Sequence, residues 1–230
     1  MTSFKPHFDI LPQSQKDLWQ HLAPCKDLRF TLYGGTALAL QLGHRISVDF
    51  DFFSHEVLCQ TKETTLLNAL PFLTKAKLTQ NTANTRSYLT DNGVAFSFFG
   101  NINFGRVGMP LMTEDGILQV ASLDDLMATK LAVVQKRVES KDYQDIAALL
   151  RYGMSLEKGF GCAQALYGEH FSPSECVKVL TFFEGGDLAA LSPKDKEVLL
   201  NASKNLQFNG IPLIPIASNN LTSIPLPTNI

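Results

Sequence analysis

The sequence lacks the features that mark several large classes of protein. No segment of its 230 residues reaches the roughly 18 consecutive apolar residues of a membrane-spanning helix. The N-terminus has no basic start followed by an apolar core, so no secretory signal is indicated. The four cysteines have no CxxC spacing and no paired histidines nearby, which argues against a zinc site or a disulfide framework. We therefore expect a cytoplasmic protein with reduced, mostly buried thiols and no membrane partner.

A strong charge of either sign is also missing. The chain has 20 Lys and Arg residues against 22 Asp and Glu residues, which gives a formal net charge of −2. A protein of this balance does not coat nucleic acid by bulk electrostatics, so any contact with nucleic acid should be confined to a local patch. No internal repeat is present. A chain of this length can bury roughly 70% of its unfolded surface, so we expect a self-sufficient core.

The first half of the chain shows strand and helix patterns around the stretch YGGTALALQLGHRISVDFDFF. LRFTLY predicts a strand that ends at Gly34, residues 36–43 predict a short apolar helix, and ISVDFDFFS predicts the next strand. Residues 61–77 suit a further helix. TRSYLT and VAFSFFGN then flank an Asp-Asn-Gly turn at residues 91–93, and its Asn-Gly pair favours a tight hairpin between two more strands.

Two aspartates alternate with two phenylalanines in the segment DFDFF. In a strand, Asp49 and Asp51 point to one face of the sheet, and Phe50 and Phe52 point to the other. Such a pair of carboxylates can hold Mg²⁺ against a triphosphate, because Mg²⁺ prefers oxygen ligands and usually takes one or two carboxylates plus phosphate oxygens. The same pattern also occurs on solvent-facing strand edges, and that alternative stays open.

A Gly-Gly-Thr turn precedes the apolar helix. Gly34 and Gly35 would let backbone N–H groups approach a phosphate, and a helix that starts at Thr36 would add further donors at its N-terminus. A Gly-Gly pair is also common in plain turns. Next to the two aspartates, the turn predicts a site for nucleotide phosphates.

From Ser122 the sequence becomes helical. Ser122 and Asp125 match a capping box, and apolar residues then recur at spacings of three and four. In the long helix that this pattern predicts, Lys130 and Arg137 are two turns apart and share a face, with Lys141 on the same line if the helix persists. A solvated basic stripe is the alternative reading of these cations.

Two acidic residues follow in the segment KDYQD. Asp142 and Asp145 could meet one another, orient Lys130, or bond Lys141 and Arg151 at the surface. For Asp142 alone, a helix N-cap is the simpler role.

The remaining sequence predicts more helices and then a tail. Residues 155–205 contain three segments that each begin with a helix start signal. Residues 207–230 are rich in Pro and Asn and fit an extended tail rather than a packed element. We therefore divide the chain into an α/β domain over residues 1–121, a helical domain over residues 122–206, and the tail.

Three stretches, taken together and in order, closely resemble one protein family. They are YGGTALALQLGHRISVDFDFF, the strand GVAFSFFG, and SLDDLMATKLAVVQKRVESKDYQDIAALL. They resemble the AbiEii/AbiGii toxin-like nucleotidyltransferases, also described as a domain of unknown function, over roughly residues 20–185. The resemblance implies an α/β fold with a minimal polymerase-β-type nucleotidyltransferase sheet and a helical C-terminal half. It also implies a role in type IV toxin–antitoxin or phage-abortive systems.

The resemblance assigns roles to the residues described above. The Gly-Gly-Thr turn matches the nucleotide-holding motif, and the DFD aspartates match the metal-binding pair. Lys130 and Arg137 match a lysine and an arginine that engage phosphates, and Asp142 or Asp145 matches a later acidic motif. The catalytic residues implied are Asp49, Asp51, Lys130 and Asp145. The nucleotide-binding residues implied are Gly34, Gly35, Thr36, Arg45, Lys130, Arg137, Lys141 and Asp142.

One position departs from the wider nucleotidyltransferase pattern. A third carboxylate normally comes from the neighbouring strand, where this chain has Ser97 in VAFSFFG. A serine leaves a second metal ion one anionic ligand short, unless Asp142 or Asp145 supplies the charge. Separately, His44 and Arg45 form a family-like pair that either closes the turn and pairs with the DFD aspartates or contacts the substrate.

Two functions follow from the resemblance. The first is an enzyme that transfers a nucleoside monophosphate from an NTP to an acceptor hydroxyl, with Mg²⁺ or Mn²⁺ on Asp49 and Asp51, in a cleft between the two halves. The family suggests RNA, such as the tRNA 3′ end, as the acceptor and an antitoxin protein as a partner. The alternative is a nucleotide-binding module that acts through a partner protein without transfer. Ser97 favours the alternative, whereas the intact DFD and K-x6-R patterns favour the enzyme.

Overall fold

The computed structural model describes residues 2–222, which form two compact units. The sheet unit comprises residues 2–103, 109–122 and 219–222, and the helical unit comprises residues 104–108 and 123–218. Among these described residues, no helix has both the length and the apolar character needed to cross a membrane.

The sheet unit contains eight strands in one mixed sheet. The strands are β1 (Ser3–Phe4), β2 (Thr31–Tyr33), β3 (Asp49–Phe53), β4 (Lys77–Thr82), β5 (Thr85–Leu89), β6 (Ala95–Phe99), β7 (Leu111–Thr113) and β8 (Gln119–Val120). Their order across the sheet is β1-β7-β8-β2-β3-β6-β5-β4. At the centre, β3 lies between antiparallel β2 and parallel β6. The predicted α/β class is confirmed.

Strand β3 shows the predicted alternation of its two faces. Phe50 and Phe52 are fully buried, and each stacks on the phenylalanine opposite it in β6 with ring centroids 5.2 Å apart. Asp49 on the other face is exposed, and Asp51 is half-buried. Stacked aromatic pairs contribute about 0.5–1.5 kcal/mol beyond their buried area, so they stabilise this register. A slip by one residue would move the aspartates into the core.

Four α-helices belong to the sheet unit: α1 (Gln13–Leu18), α2 (Pro24–Asp27), α3 (Gly34–Leu42) and α4 (Gln60–Ala69). Helix α3 packs against β2 and β3 and buries its central residues. It begins two residues earlier than predicted, so both glycines of the Gly-Gly-Thr turn lie in its first turn. It ends before Gly43, whose φ of +63° lies in the left-handed region that favours glycine at this position.

The helix predicted over residues 61–77 is wrong in its second half. Helix α4 ends at Ala69, and Pro71 starts a separate short 3₁₀ helix, Pro71–Lys75. Proline has no backbone N–H and clashes with the preceding turn, so it does not continue an α-helix. Residues 77–82 then form β4, the edge strand that the sequence analysis missed. All six residues of β4 are exposed, so no apolar alternation marks it.

The helical unit contains five α-helices: α5 (Leu123–Val134), α6 (Ser140–Arg151), α7 (Leu156–Tyr167), α8 (Pro173–Thr181) and α9 (Pro193–Asn205). The predicted start signals of the last three are confirmed. Ser155, Ser172 and Ser192 are their N-caps, and each hydroxyl accepts a hydrogen bond from the backbone N–H three residues later.

The long helix predicted from Ser122 is shorter than expected. Helix α5 ends at Val134, and Arg137 lies in the connection to α6. Ser140 begins a new helix, and its backbone N–H and hydroxyl both donate to Asp187. Lys130 and Arg137 therefore do not share a helix face, contrary to the prediction.

Buried ion pairs join α5 to α6. Lys130 Nζ lies 2.7 Å from Asp142 Oδ1 and 2.6 Å from Asp145 Oδ2, and Arg137 Nε lies 2.8 Å from Asp142 Oδ2. Both carboxylates are fully buried and Lys130 is 6% exposed. Burial acts to raise the pKa of Asp142, but the hydrogen bonds and charges of Arg137 and Lys130 outweigh it and hold the pKa below its ordinary value.

The structure resolves the alternatives for the two acidic residues of KDYQD. Both orient Lys130, which is one of the roles considered. The N-cap of α6 is Glu139, so the N-cap role for Asp142 is wrong. The two surface cations have other partners: Lys141 pairs with Glu139, and Arg151 pairs with a carboxylate on α9.

The tail predicted over residues 207–230 is extended over much of its described part, after a 3₁₀ turn at Phe208–Gly210. Its end is packed, which the composition did not predict. Leu221 and Thr222 are buried in the sheet unit, where the Leu221 N–H donates to His55 Nδ1 at 3.0 Å. Residues 223–230 lie outside the described residues.

All four cysteines are free thiols, and three of them are buried, as predicted. Cys59 is the exposed one. Burial raises the pKa of Cys162 and of Cys176 to about 12. These two thiols therefore stay protonated near neutral pH, which makes them poor nucleophiles.

We predict that Asp142→Asn lowers the free energy of unfolding by about 3 kcal/mol in urea titrations followed by circular dichroism. Removal of one partner from a buried ion pair costs about 3–5 kcal/mol, and the lower end applies because Asp145 still compensates Lys130. The matched control is Glu175→Gln, which breaks an exposed pair with Lys178 and should cost less than about 1 kcal/mol. Equal losses in both variants would contradict the structural role of the buried pairs.

Asp142→Asn also tests the lowered pKa of Asp142. A carboxyl whose pKa is lower in the folded than in the unfolded state contributes stability above its ordinary pKa of about 3.9, and this contribution is lost as the pH falls through the lowered value. We therefore expect the difference between parent and Asp142→Asn to shrink from pH 7 to the lowest pH at which the parent folds. A difference that stays constant would show that the pKa is not lowered.

Candidate active site

The first glycine of the Gly-Gly-Thr turn makes room for a carboxylate. A Cβ atom on Gly34 would collide with Asp51 Oδ2. The backbone at Gly34 also has a φ of +72°, a conformation that residues with a side chain rarely adopt. The Asp51 carboxylate therefore lies directly against the start of α3, and glycine is required there for both reasons.

The second glycine makes room for a guanidinium group. A Cβ atom on Gly35 would collide with Arg45 Nη2 and would lie 3.4 Å from Ser47 Oγ. Arg45 Nη1 also donates to the carbonyl of Ile46 at 3.1 Å. A cation at the N-terminus of a helix is unfavourable on its own, because that end of the helix is already electropositive. The Arg45 guanidinium therefore adds positive charge beside the start of α3.

Thr36 lies at the same turn, but its side chain faces the protein interior. It is 1% exposed, and its Oγ1 lies 2.8 Å from Ser47 Oγ. The same hydroxyl also forms a hydrogen bond with the carbonyl of Asp49. The Thr36 hydroxyl thus joins α3 to the start of β3 and is not presented to a phosphate.

The two aspartates and Ser97 lie on one face of adjacent strands, as predicted. Asp51 is directly opposite Ser97 in the parallel pair of β3 and β6. Ser97 is in turn opposite Ser87 on β5, and their hydroxyl oxygens are 3.1 Å apart. Within residues 2–222, no group of three or more His, Cys, Asp or Glu side chains is placed to hold a metal ion. The face therefore offers two carboxylates and neighbouring hydroxyls.

This donor set fits one Mg²⁺ ion bound together with a nucleotide. Mg²⁺ is typically held by one or two carboxylates, while phosphate oxygens and water complete its coordination. Asp49 is exposed and Asp51 is half-buried, so both can be reached from solvent. Ser97, directly opposite Asp51, adds a hydroxyl to this face and not a third carboxylate.

The residues predicted in the helical unit form a second cluster. Lys130, Arg137, Asp142 and Asp145 meet there, although the helix-face argument that grouped the two cations is wrong. The Arg137 side chain is 47% exposed, so it is the member that solvent reaches most easily. Lys141 lies at the edge of this cluster, because its amine pairs with Glu139 at 3.0 Å and Glu139 also pairs with Arg137 Nη1 at 3.4 Å. The two cations and two anions of the four residues balance in formal charge, and Lys141 and Glu139 add one charge of each sign.

Ser47 is the residue of the site that the sequence analysis missed. Its hydroxyl contacts Thr36 and lies close to Gly35. No motif marks it, since a single serine before a strand is common. The one available signal was its spacing from the two aspartates: residues 47, 49 and 51 are two apart, so an extended backbone would place them on the same face.

Comparison with known proteins places the chain in a family. The nucleotidyl transferase AbiEii toxin family of type IV toxin–antitoxin systems matches residues 18–175. An uncharacterized protein of Aquifex aeolicus (strain VF5) is 29% identical over 164 residues, which cover 71% of this chain and 77% of the relative.

Two solved structures are similar in fold. One is a protein from H. pylori provisionally named a nucleotidyltransferase, with a TM-score of 0.51 and 16% identity over 83% of this chain and 91% of that chain. The other is MenT4, a nucleotidyltransferase toxin from Mycobacterium tuberculosis H37Rv, with a TM-score of 0.52 and 12% identity over 85% of this chain and 84% of that chain. The nucleotidyltransferase fold predicted from the sequence is confirmed. The chain therefore belongs to the AbiEii family of nucleotidyltransferase toxins of type IV toxin–antitoxin systems.

Proposed function

We propose that the protein uses Mg²⁺ or Mn²⁺ to transfer a nucleoside monophosphate from an NTP to an acceptor hydroxyl, with the 3′ end of tRNA as the acceptor. One observation carries the proposal. The carboxylates of Asp49 and Asp51 share a solvent-facing side of β3, and Asp51 lies against the start of α3 beside Arg45. Anionic metal ligands and an anion-binding helix start are thereby combined at one place.

Each part of this arrangement has a task in the proposed reaction. Asp49 and Asp51 would hold the metal ion, which neutralises charge on the phosphates when it is bound. The backbone N–H groups at Gly34 and Gly35 would donate to phosphate oxygens at the start of α3. Arg45 would move from its present contacts, which include the carbonyl of Ile46, to a bound phosphate. Its planar guanidinium suits bidentate contact with phosphate oxygens.

The reaction itself is a displacement at phosphorus. The acceptor oxygen bonds to the α-phosphorus of the NTP while the bond from that phosphorus to the bridging oxygen of pyrophosphate breaks. The acceptor proton passes to water, and pyrophosphate leaves. The protein contributes mainly by positioning the two reactants and stabilising charge, since phosphoryl transfer needs little covalent help from side chains.

The residues of the helical unit have a place in the proposal through the family resemblance. Arg137 is the accessible cation of its cluster and suits contact with a phosphate, while Lys130 holds the carboxylate that orients Arg137. That Lys130, Asp145 and Lys141 also take part in nucleotide binding or catalysis stays a prediction. An antitoxin protein is the proposed partner, since the family belongs to toxin–antitoxin systems.

A second function is favoured by Ser97. Its position opposite Asp51 leaves the metal site with two carboxylates, which suits a module that binds metal and nucleotide and acts through its partner without transfer. The two proposals share the nucleotide site and differ in whether a bond is made. Experiments on nucleotide binding therefore test both together, and variants of Ser97 separate them.

We predict that NTP binding, measured by calorimetry, requires Mg²⁺ or Mn²⁺ and weakens at least about 100-fold in the Asp49→Asn, Asp51→Asn double variant. The variant loses both anions that anchor the metal, and a tenfold change in Kd corresponds to about 1.4 kcal/mol. A matched double variant, Asp91→Asn with Glu114→Gln, alters two exposed carboxylates elsewhere in the sheet unit and should bind like the parent. Unchanged binding in a folded Asp49, Asp51 variant would exclude the proposed metal site.

We predict that Ser97→Asp tightens metal binding about tenfold and increases any transfer to RNA. The new carboxylate would face the same side as Asp49 and Asp51. Three carboxylates repel one another without metal, so the melting temperature should fall in EDTA and recover in Mg²⁺, which binds the folded form. Calorimetry, thermal melts with and without Mg²⁺, and nucleotide incorporation into RNA measure the three effects.

Parent and variant should be compared side by side. If both bind nucleotide but neither transfers it with any NTP or RNA, the transferase is excluded in favour of the binding module. If metal affinity does not change in Ser97→Asp, Ser97 does not occupy the position of a missing ligand.

A further inference from the structure

A pair of buried hydroxyl groups lies behind the start of β3. Ser47 is 6% exposed and Thr36 is 1% exposed, and their oxygens are 2.8 Å apart. Thr36 also bonds the carbonyl of Asp49, which can only accept a hydrogen bond. The Thr36 hydroxyl donates to the Ser47 hydroxyl and to the Asp49 carbonyl, so it shares its one proton between two acceptors. The result is a chain of contacts from Ser47 through Thr36 to the backbone of the candidate metal ligand.

The Thr36 hydroxyl takes the place of a neighbouring strand on one side of Asp49. Strand β6 pairs with Asp49 on one side, but on the other side β2 pairs with β3 only from Asp51 onward. The Asp49 carbonyl is therefore held by a side chain and not by a neighbouring strand on that side. Loss of the hydroxyl chain would release the end of β3 at the residue whose carboxylate is proposed to bind metal.

The backbone of Ser47 is also held by the N-terminal segment. Its N–H donates to the carbonyl of Ile10 at 3.4 Å. Ser47 is the one buried residue between Gly43 and Phe50, and its neighbours Ile46 and Val48 are 68% and 51% exposed. Ser47 is therefore the buried residue of the loop that joins α3 to β3. Ile10, whose carbonyl accepts from Ser47, precedes the part of the chain that matches the family.

We infer that Ser47 is a positioning residue for the metal site: through Thr36 it holds the backbone of Asp49 so that the Asp49 and Asp51 carboxylates stay correctly spaced for one divalent cation. The inference rests on the proposed function of the acidic pair. It also gives Thr36 a different task from the nucleotide contact predicted from the sequence. Two buried hydroxyls that merely stabilise the fold would affect melting but not metal affinity, so the two roles can be separated.

The test measures Mn²⁺ alone, without nucleotide, by counting free Mn²⁺ with electron paramagnetic resonance. Ser47→Ala and Thr36→Val should each weaken Mn²⁺ binding about tenfold, because each breaks the hydroxyl chain. Thr36→Ser keeps the hydroxyl and should recover most of the affinity lost in Thr36→Val. The matched control is Ser54→Ala, which removes a 1%-exposed serine just beyond the far end of β3 whose hydroxyl accepts from the Glu56 N–H.

Thermal melts of the same variants complete the design. Ser54→Ala and Ser47→Ala should lower the melting temperature to a similar extent, since each removes one buried hydroxyl, but Ser54→Ala should bind Mn²⁺ like the parent. Hydrogen exchange should be faster at Asp49 and Phe50 in Ser47→Ala than in the parent. Equal Mn²⁺ affinity in parent and Ser47→Ala would overturn the inference, as would equal loss in Ser47→Ala and Ser54→Ala. If the parent binds Mn²⁺ but no NTP, the proposed function is overturned, whereas the positioning role of Ser47 at the metal site is not.

Discussion

The candidate site depends on the burial of one face of β3. Phe50 and Phe52 are fully buried and stack on the opposite phenylalanines of β6. Because side chains alternate along a strand, this packing directs Asp49 and Asp51 to the other face. A register shift would carry two carboxylates into the core, at a cost of several kcal/mol for each ion. Hydrophobic packing behind the strand thus sets the position of the acidic pair in front of it.

The charged side chains discussed above face solvent in the sheet unit and are largely buried in ion pairs in the helical unit. In the sheet unit, Gly34 and Gly35 leave room for a carboxylate and a guanidinium at the start of α3, next to solvent-facing Asp49. In the helical unit, Lys130 and its two aspartates are buried and satisfied by one another, so their first effect is to hold α5 against α6. Only the accessible Arg137 keeps a large exposed fraction in that cluster.

The sequence predicts those parts of the fold that leave a local pattern. Alternate burial makes β3 recognisable, and serine N-caps mark three of the helices. Strand β4 has no such pattern because all of it is exposed. The apolar spacing of α5 continues past its end at Val134, so the pattern overstates its length. The contact of Ser47 with Thr36 depends on how the loop between α3 and β3 folds, which no local pattern specifies. Gly34 and Gly35 indicate that side chains are excluded at the start of α3, but the sequence does not show which neighbouring groups occupy the space.

In the function proposed above, the acidic pair of β3 supports nucleotidyl transfer. The most direct measurement is incubation of the purified protein with each α-³²P-labelled NTP, total RNA and Mg²⁺, followed by gel separation of the RNA. We expect label at the 3′ end of an RNA, present with Mg²⁺ or Mn²⁺, absent in EDTA, and accompanied by release of pyrophosphate. Absence of label in RNA with all four NTPs and both metals would contradict the proposed transfer.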